Sequence, residues 1–190
     1  DLLTTLKSLF EDPSKQWIGH HLKYDLHILA NYGIRPKNIA FDTILASYLL
    51  HTHRRQHSLD HLSEELLNLN KTSIETLIGK GKKQISMADV ELEKVAAYCG
   101  EDVDATFRIY EILSKQMEEK PRLRSLLYDL ELPLMQVLLN MERQGIFVDP
   151  KVLQDMSTLL HAQIKDLETK IWDVAGETFT INSPKQLSKI

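Results

Sequence analysis

The sequence predicts an α/β layer with an incomplete sheet, followed by an almost wholly helical stretch. Three observations carry this. Over residues 2–50, helical stripes alternate with two short β-prone runs, in the order helix, strand, helix, strand, helix. Those strands are too few to make a sheet by themselves. Beyond about residue 118, nearly every window reads as helix.

Residues 2–10 place apolar side chains at 2, 3, 6, 9 and 10, the stripe of an amphipathic helix. Trp17 and Ile18 favour a short strand over 16–19. Residues 22–32 form a helix stopped by Gly33. A second strand is expected over 38–41, and Asp42 is a suitable N-cap for a helix over 43–50. HTHRRQH, residues 51–57, is a polar loop, and Ser58 caps a helix with Leu59, Leu62, Leu66 and Leu67 on one side. KGKK, residues 80–83, is a basic loop. Ser86 with Asp89 resembles a capping box before a long helix over about 88–118. Pro121 starts a helix to about 143, which Pro133 should kink or interrupt and Gly145 should end. Asp149 and Pro150 open a helix to 175, closed by Gly176, whose Leu/Ile/Met stripe over 152–171 is expected to pack in a helical hairpin. Ser183 and Pro184 open another helix.

Composition bounds the function. At 190 residues and 43% hydrophobic, the chain can build a core and is not a disordered protein. Its longest apolar runs, 44–50 and 132–139, fall short of the roughly 18–20 residues of a membrane span, so no membrane association is expected. One cysteine, Cys99, excludes an intramolecular disulfide and fits a reducing cytoplasm. The net charge of −4 speaks against a stand-alone binder that grips phosphates by bulk positive charge. It is compatible with a nuclease, whose metal-binding carboxylates are themselves acidic. The chain begins on Asp1 rather than Met, and we expect it to be a piece of a longer protein.

Two elements carry candidate chemistry. Tyr98 and Asp102 are four apart on an expected helix and project from one face. A carboxylate there can hold a divalent metal, and a phenol one turn away can orient a water on it. The plainer interpretation is a half-buried tyrosine and a solvated charge. In GHHLKYD, residues 19–25, a strand runs into glycine and then a helix, placing Tyr24 and Asp25 near the strand's carboxyl end, where ligands of α/β layers bind. The plainer interpretation is an acid stabilised by a helix N-terminus.

Together, GHHLKYDLHILANYGI, IAFDTILASYLL and YCGEDVDAT strongly resemble the 3′–5′ proofreading exonuclease domain of bacterial DNA polymerase I, a family A DNA polymerase of the DEDD superfamily. The family's second motif ends in tyrosine or phenylalanine and aspartate, matched by Tyr24 and Asp25. Its third motif, Tyr-x-x-x-Asp, is matched by Tyr98 and Asp102. His21 stands where the family usually carries asparagine, and a histidine can still donate a hydrogen bond. The runs ELPL from residue 131, MERQGI from 141 and FTINSPKQL from 179 resemble the opening of that family's polymerase domain.

The resemblance implies a ribonuclease H-like exonuclease layer over residues 1–118 and the N-terminal part of a polymerase domain, near the thumb, over 119–190. It implies Asp25 and Asp102 as metal ligands, Tyr98 as the holder of the attacking water, and His21 and Tyr24 at the substrate. It implies a pair of Mg²⁺ or Mn²⁺ ions, with DNA and deoxynucleotides as partners of a monomeric polymerase. The family's first motif, an Asp-x-Glu on a strand upstream of the second, has no counterpart before Gly19. The Asp-x-Glu triplets at 89, 129 and 166 all follow the second motif and fall on expected helices. The competing interpretation is a non-catalytic structural or DNA-binding module with a degraded exonuclease site.

Two other features carry weaker signals. His53, His57 and His61 recur every four residues, a spacing that can bind zinc on a helix, but they lie partly in a loop and no HExxH accompanies them. GKGKK, residues 79–83, lacks the ending of a Walker phosphate loop. Cys99 is expected to pack in the interior.

Overall fold

A computed structural model describes the backbone of residues 2–190 and the side chains of residues 5–190. The expected stripe positions Leu2 and Leu3 therefore lie outside the described side chains. The chain divides into two compact units, Asp1–Gln144 and Gly145–Ile190.

In the first unit, α1 (Leu2–Phe10) leads to β1 (Trp17–Gly19), α2 (Leu22–Asn31) and β2 (Ile39–Asp42). The two strands pair in parallel, with Ile18 opposite Phe41 and Gly19 opposite Asp42. A parallel pair needs a crossover, and α2 supplies it. Together they form the whole sheet seen among the described residues. Stacking of Phe10 on Trp17, with centroids 4.4 Å apart, fastens α1 beside β1. Then come α3 (Thr43–Leu50), α4 (Leu59–Leu67), α5 (Ile74–Ile78), the long α6 (Leu92–Glu118), α7 (Pro121–Ser125) and α8 (Leu132–Gln144).

Their core is built from helix faces meeting over β2. Phe41, Leu62, Ile109, Leu113 and Leu127 are fully buried, and Leu132, Met135 and Leu139 of α8 extend the same cluster. Burying side chains of this size stabilises by about 1.5–3 kcal/mol each. Packing in the first unit thus continues past residue 118 to the end of α8.

Three local departures from expectation have physical reasons. Helix α6 begins at Leu92, because Ser86 instead caps a separate short 3₁₀ turn, Met87–Asp89, accepting from the Ala88 amide. Second, the interruption that Pro133 imposes lies ahead of it, as a π-helical turn over Leu126–Glu131. Proline has no N–H to give and its ring crowds the carbonyl of the preceding turn, so a widened register there relieves the conflict. The third is Cys99, which is exposed rather than packed inside, on the open face of α6.

The second unit contains α9 (Pro150–Ala175) and the short α10 (Pro184–Leu187). Asp149 caps α9 by accepting from the Lys151 amide at 2.9 Å, and Gly176 ends it at φ 77°. The expected hairpin packing of its stripe is absent: α9 has no buried residue, and Leu153 and Leu167 are more than half exposed. The unit supplies no second long helix to cover that face. Trp172 bonds through its indole N–H to the Phe179 carbonyl at 2.9 Å, which folds the following segment back onto the helix end.

Candidate active site

The first candidate element is built on a sharp turn. At Gly19 an added Cβ would sit 2.3 Å from Leu22 Cδ2, so the close approach of Leu22 demands glycine. His21 follows in the left-handed region, at φ 62° and ψ 45°. Asparagine, aspartate and histidine are the non-glycine residues most at ease there. The backbone thus accounts for histidine at a position where the resembled family usually has asparagine. The His21 side chain is exposed and makes no capping bond.

The turn is held by Asp42, a residue read from the sequence only as the cap of α3. It is 1% exposed. Its Oδ1 accepts from the amides of His21 at 3.1 Å and Ile44 at 2.9 Å, and its Oδ2 accepts from Leu22 at 2.8 Å. One carboxylate therefore caps α2 and α3 together, satisfying N–H groups that a helix start leaves unpaired. His20, which sequence reasoning missed, lies against it. The Thr43 hydroxyl donates to the Gly19 carbonyl at 3.2 Å, and its oxygen lies 2.8 Å from His20 Nδ1, placed to accept a proton from it. Burial pushes the His20 imidazole down to about 4, against the pull of Asp42, so the ring is neutral at neutral pH.

This turn delivers Tyr24 and Asp25 to the first two turns of α2. Both are exposed and line a largely apolar groove of about 1130 Å³ that follows β1. Asp102 of α6 lines the same groove, with Cys99, Val103 and Phe107 beside it. Although Asp25 as a residue is exposed, desolvation against the apolar wall raises its carboxyl above the usual range, offset in part by His21. Tyr98 faces a neighbouring depression of about 770 Å³ with Thr72, Glu91 and Glu101. Its phenol is raised by burial and by Asp102. Of the five residues singled out from sequence, Tyr24, Asp25 and Asp102 therefore share one groove, Tyr98 flanks it one helical turn away, and His21 lines neither depression.

A residue with no signal in the sequence completes the site. The Lys71 ammonium pairs with Asp102 and lies 3.2 Å from Asp60 Oδ1, with its side chain 1% exposed. It also sits 5.3 Å from the centroid of the Tyr98 ring.

The donor chemistry suits a hard divalent cation in part. Asp25 and Asp102 offer oxygens to one groove, and Asp102 already holds a cationic group. Among the described residues, no three His, Cys, Asp or Glu side chains gather as a ligand set. The histidines of the sequence pattern go separate ways. His57 is buried on the Ser47 hydroxyl at 2.8 Å, His61 faces Glu65 at 3.6 Å, and the His53 ring stands edge-on to His51. Among the described residues no helix is long and apolar enough to cross a membrane.

Comparison with known proteins agrees with this architecture. The chain is 38% identical over its whole length to DNA polymerase I of Pseudomonas aeruginosa and 39% identical to that of Chloroflexus aurantiacus. It spans about a fifth of the length of each, 21% and 20%. Among solved structures, the polymerase domain of Pol1 from M. smegmatis, in complex with DNA primer-template and dNTP, superposes with a TM-score of 0.76 at 27% identity. That match covers 97% of this chain and 28% of the other. NrnC of Brucella melitensis with bound Mg²⁺ superposes with a TM-score of 0.57 at 25% identity, covering 75% of this chain and 67% of NrnC. The α/β layer with an incomplete, ribonuclease H-like sheet is thus the fold. Residues 1–118 match the family model described as 3′–5′ exonuclease of A-type DNA polymerases, and the chain belongs to that family.

Proposed function

We propose that this chain is part of a DNA polymerase I acting in DNA replication and repair, and that its groove is the proofreading site that hydrolyses the 3′-terminal phosphodiester of DNA. The observation that carries the proposal is the convergence of Tyr24, Asp25 and Asp102 on one groove, with Tyr98 one turn from Asp102. The residues through 118 belong to the exonuclease part, and residues 119–190 begin the polymerase part, near its thumb.

Asp25 and Asp102 hold the divalent cations, Mg²⁺ or Mn²⁺. When bound, such a pair activates water and stabilises the departing 3′ oxygen. The Tyr98 phenol, kept protonated, orients the attacking water by hydrogen bonding. Tyr24, 63% exposed beside Asp25, offers a flat face to the terminal base, and His21 offers a ring N–H to the strand. The apolar groove wall excludes water from all but the reacting end. Support for a divalent cation comes from the Mg²⁺-bound NrnC relative, and support for DNA from the primer-template complex of the M. smegmatis protein. Deoxynucleotides are substrates of the polymerase part, the assembly is a monomer, and its compartment is the reducing cytoplasm, where the exposed thiol of Cys99 persists.

Two of the family's four carboxylates lie in these residues, so the 190-residue chain alone removes 3′ nucleotides weakly or not at all. In a longer protein that contains it, Asp25→Ala or Asp102→Ala abolishes release of 3′ nucleotides from single-stranded DNA and leaves primer extension within about twofold. Equal loss of both activities would sink the proposal. A second interpretation, a structural or DNA-binding module with a degraded site, is favoured by the lysine seated on Asp102. Nuclease activity that is already absent before either substitution selects it.

A further inference from the structure

The loop that carries Lys71 is fastened to the helix that carries the site. Asn68 ends α4 in the left-handed region, at φ 53°. The Thr72 amide then donates to Glu101 Oε2 of α6 at 2.9 Å. Between these two anchors Lys71 turns inward, with 1% of its side chain exposed. A buried ammonium keeps its charge only where partners replace its lost water. Three do so here: Asp102, paired directly; Asp60, at 3.2 Å; and the face of Tyr98, at 5.3 Å. Their contributions are unequal in kind. Asp102 belongs to the groove, whereas Asp60, in the first turn of α4, is 64% exposed and stands outside it.

We propose that Lys71 is a resident counter-ion of Asp102 that a divalent cation must displace, with Asp60 as the second seat that receives the ammonium. The inference rests on Asp102 being a metal ligand, as proposed above. The ammonium engages Asp102 through Oδ1, an oxygen that a metal would also use. A fixed positive charge within a few Å of an incoming dication opposes its binding, and in a partly buried site solvent screens that repulsion poorly. The arrangement also serves the empty site: it keeps Asp102 ionised and holds its carboxylate still beside Tyr98. Lys71 is thus a positioning residue before the cation arrives and a competitor as it arrives.

The test uses Mn²⁺ alone as probe and the whole 190-residue chain, reading paramagnetic broadening of the backbone resonances of residues 98–104. Lys71→Met tightens Mn²⁺ binding about tenfold, and Lys71→Arg, which keeps the charge, stays within about twofold of the parent. Asp60→Asn weakens binding several-fold by removing the second seat. Asp102→Asn abolishes the broadening in every background. Persistence of the broadening in Asp102→Asn overturns the assignment of Asp102 as a ligand, whatever Lys71 does. Loss of broadening in Asp102→Asn, together with unchanged or weaker binding in Lys71→Met, overturns the counter-ion role alone. Should Lys71→Met lose its dispersed spectrum and fail to fold, the exposed Asp60→Asn variant decides: unchanged or tighter binding there overturns the proposal.

Discussion

Helices α2 and α6 each bring a carboxylate to the groove, but they are anchored by different physics. Helix α2 is held through its backbone: three amide donors converge on the buried Asp42, and the glycine before the turn leaves room for nothing else. The Asp102 end of α6 is held through side chains, by an ammonium shared between Asp102 and Asp60. A backbone anchor fixes position and is indifferent to what binds in the groove. An ion-pair anchor is exchangeable, because any other cation can take the place of the first. The Asp25 side is therefore the rigid wall of the site and the Asp102 side its responsive one.

The largest test of that contrast is Asp42→Ala. It strands three amides at two helix starts, each worth about 1–3 kcal/mol when buried without a partner, so we expect a loss of about 4 kcal/mol by urea denaturation. A loss below about 1 kcal/mol would show that the turn is held by something else. Next comes acid. The unfolded chain protonates His20 near the ordinary histidine value of 6.5, while the folded chain resists until about 4. Between those values the unfolded state binds more protons, so stability rises with pH through this window and is lost as pH falls across it. The contribution is about 3 kcal/mol. His20→Gln should flatten the stability profile between pH 6.5 and 4, and an unaltered slope would refute the buried, neutral ring.

The smallest expected effect lies at the far side of α2. There Glu142 of α8 accepts from Lys23 and from His27, and Arg143 donates to the His27 carbonyl and to Asn31 at the helix end. These groups are solvated, and such pairs add little. Glu142→Gln should shift the melting temperature by less than about 2 °C, and by less still in high salt. A larger shift would move α2 from backbone anchoring toward the side-chain kind.

Much of this was legible in the residues. The strand, glycine and helix order over 17–31 placed Asp25 correctly, and the four-residue spacing put Tyr98 and Asp102 on one face. Asp42 was legible as a cap of α3, because that contact is two residues away. Its second role, toward His21 and Leu22, joins segments about twenty residues apart and leaves no local trace. Lys71 was illegible for the same reason: a lysine after a polar loop looks solvated until the loop is folded against α6. Cys99 and the stripe of α9 went the other way. Apolar character promises burial only if a partner face exists, and for these two none of the described elements in their own unit supplies one.

The widened turn over Leu126–Glu131 has a consequence for how this stretch tolerates change in length. It amounts to one surplus residue stored inside a helix, and each residue turns a helix by about 100°. Removing any one residue from it should restore an ordinary helical repeat locally. Every side chain downstream would then be rotated out of phase, carrying Leu132, Met135 and Leu139 away from the core they now fill. The surplus residue thus sets the phase of α8, and a deletion that regularises the helix would unseat it.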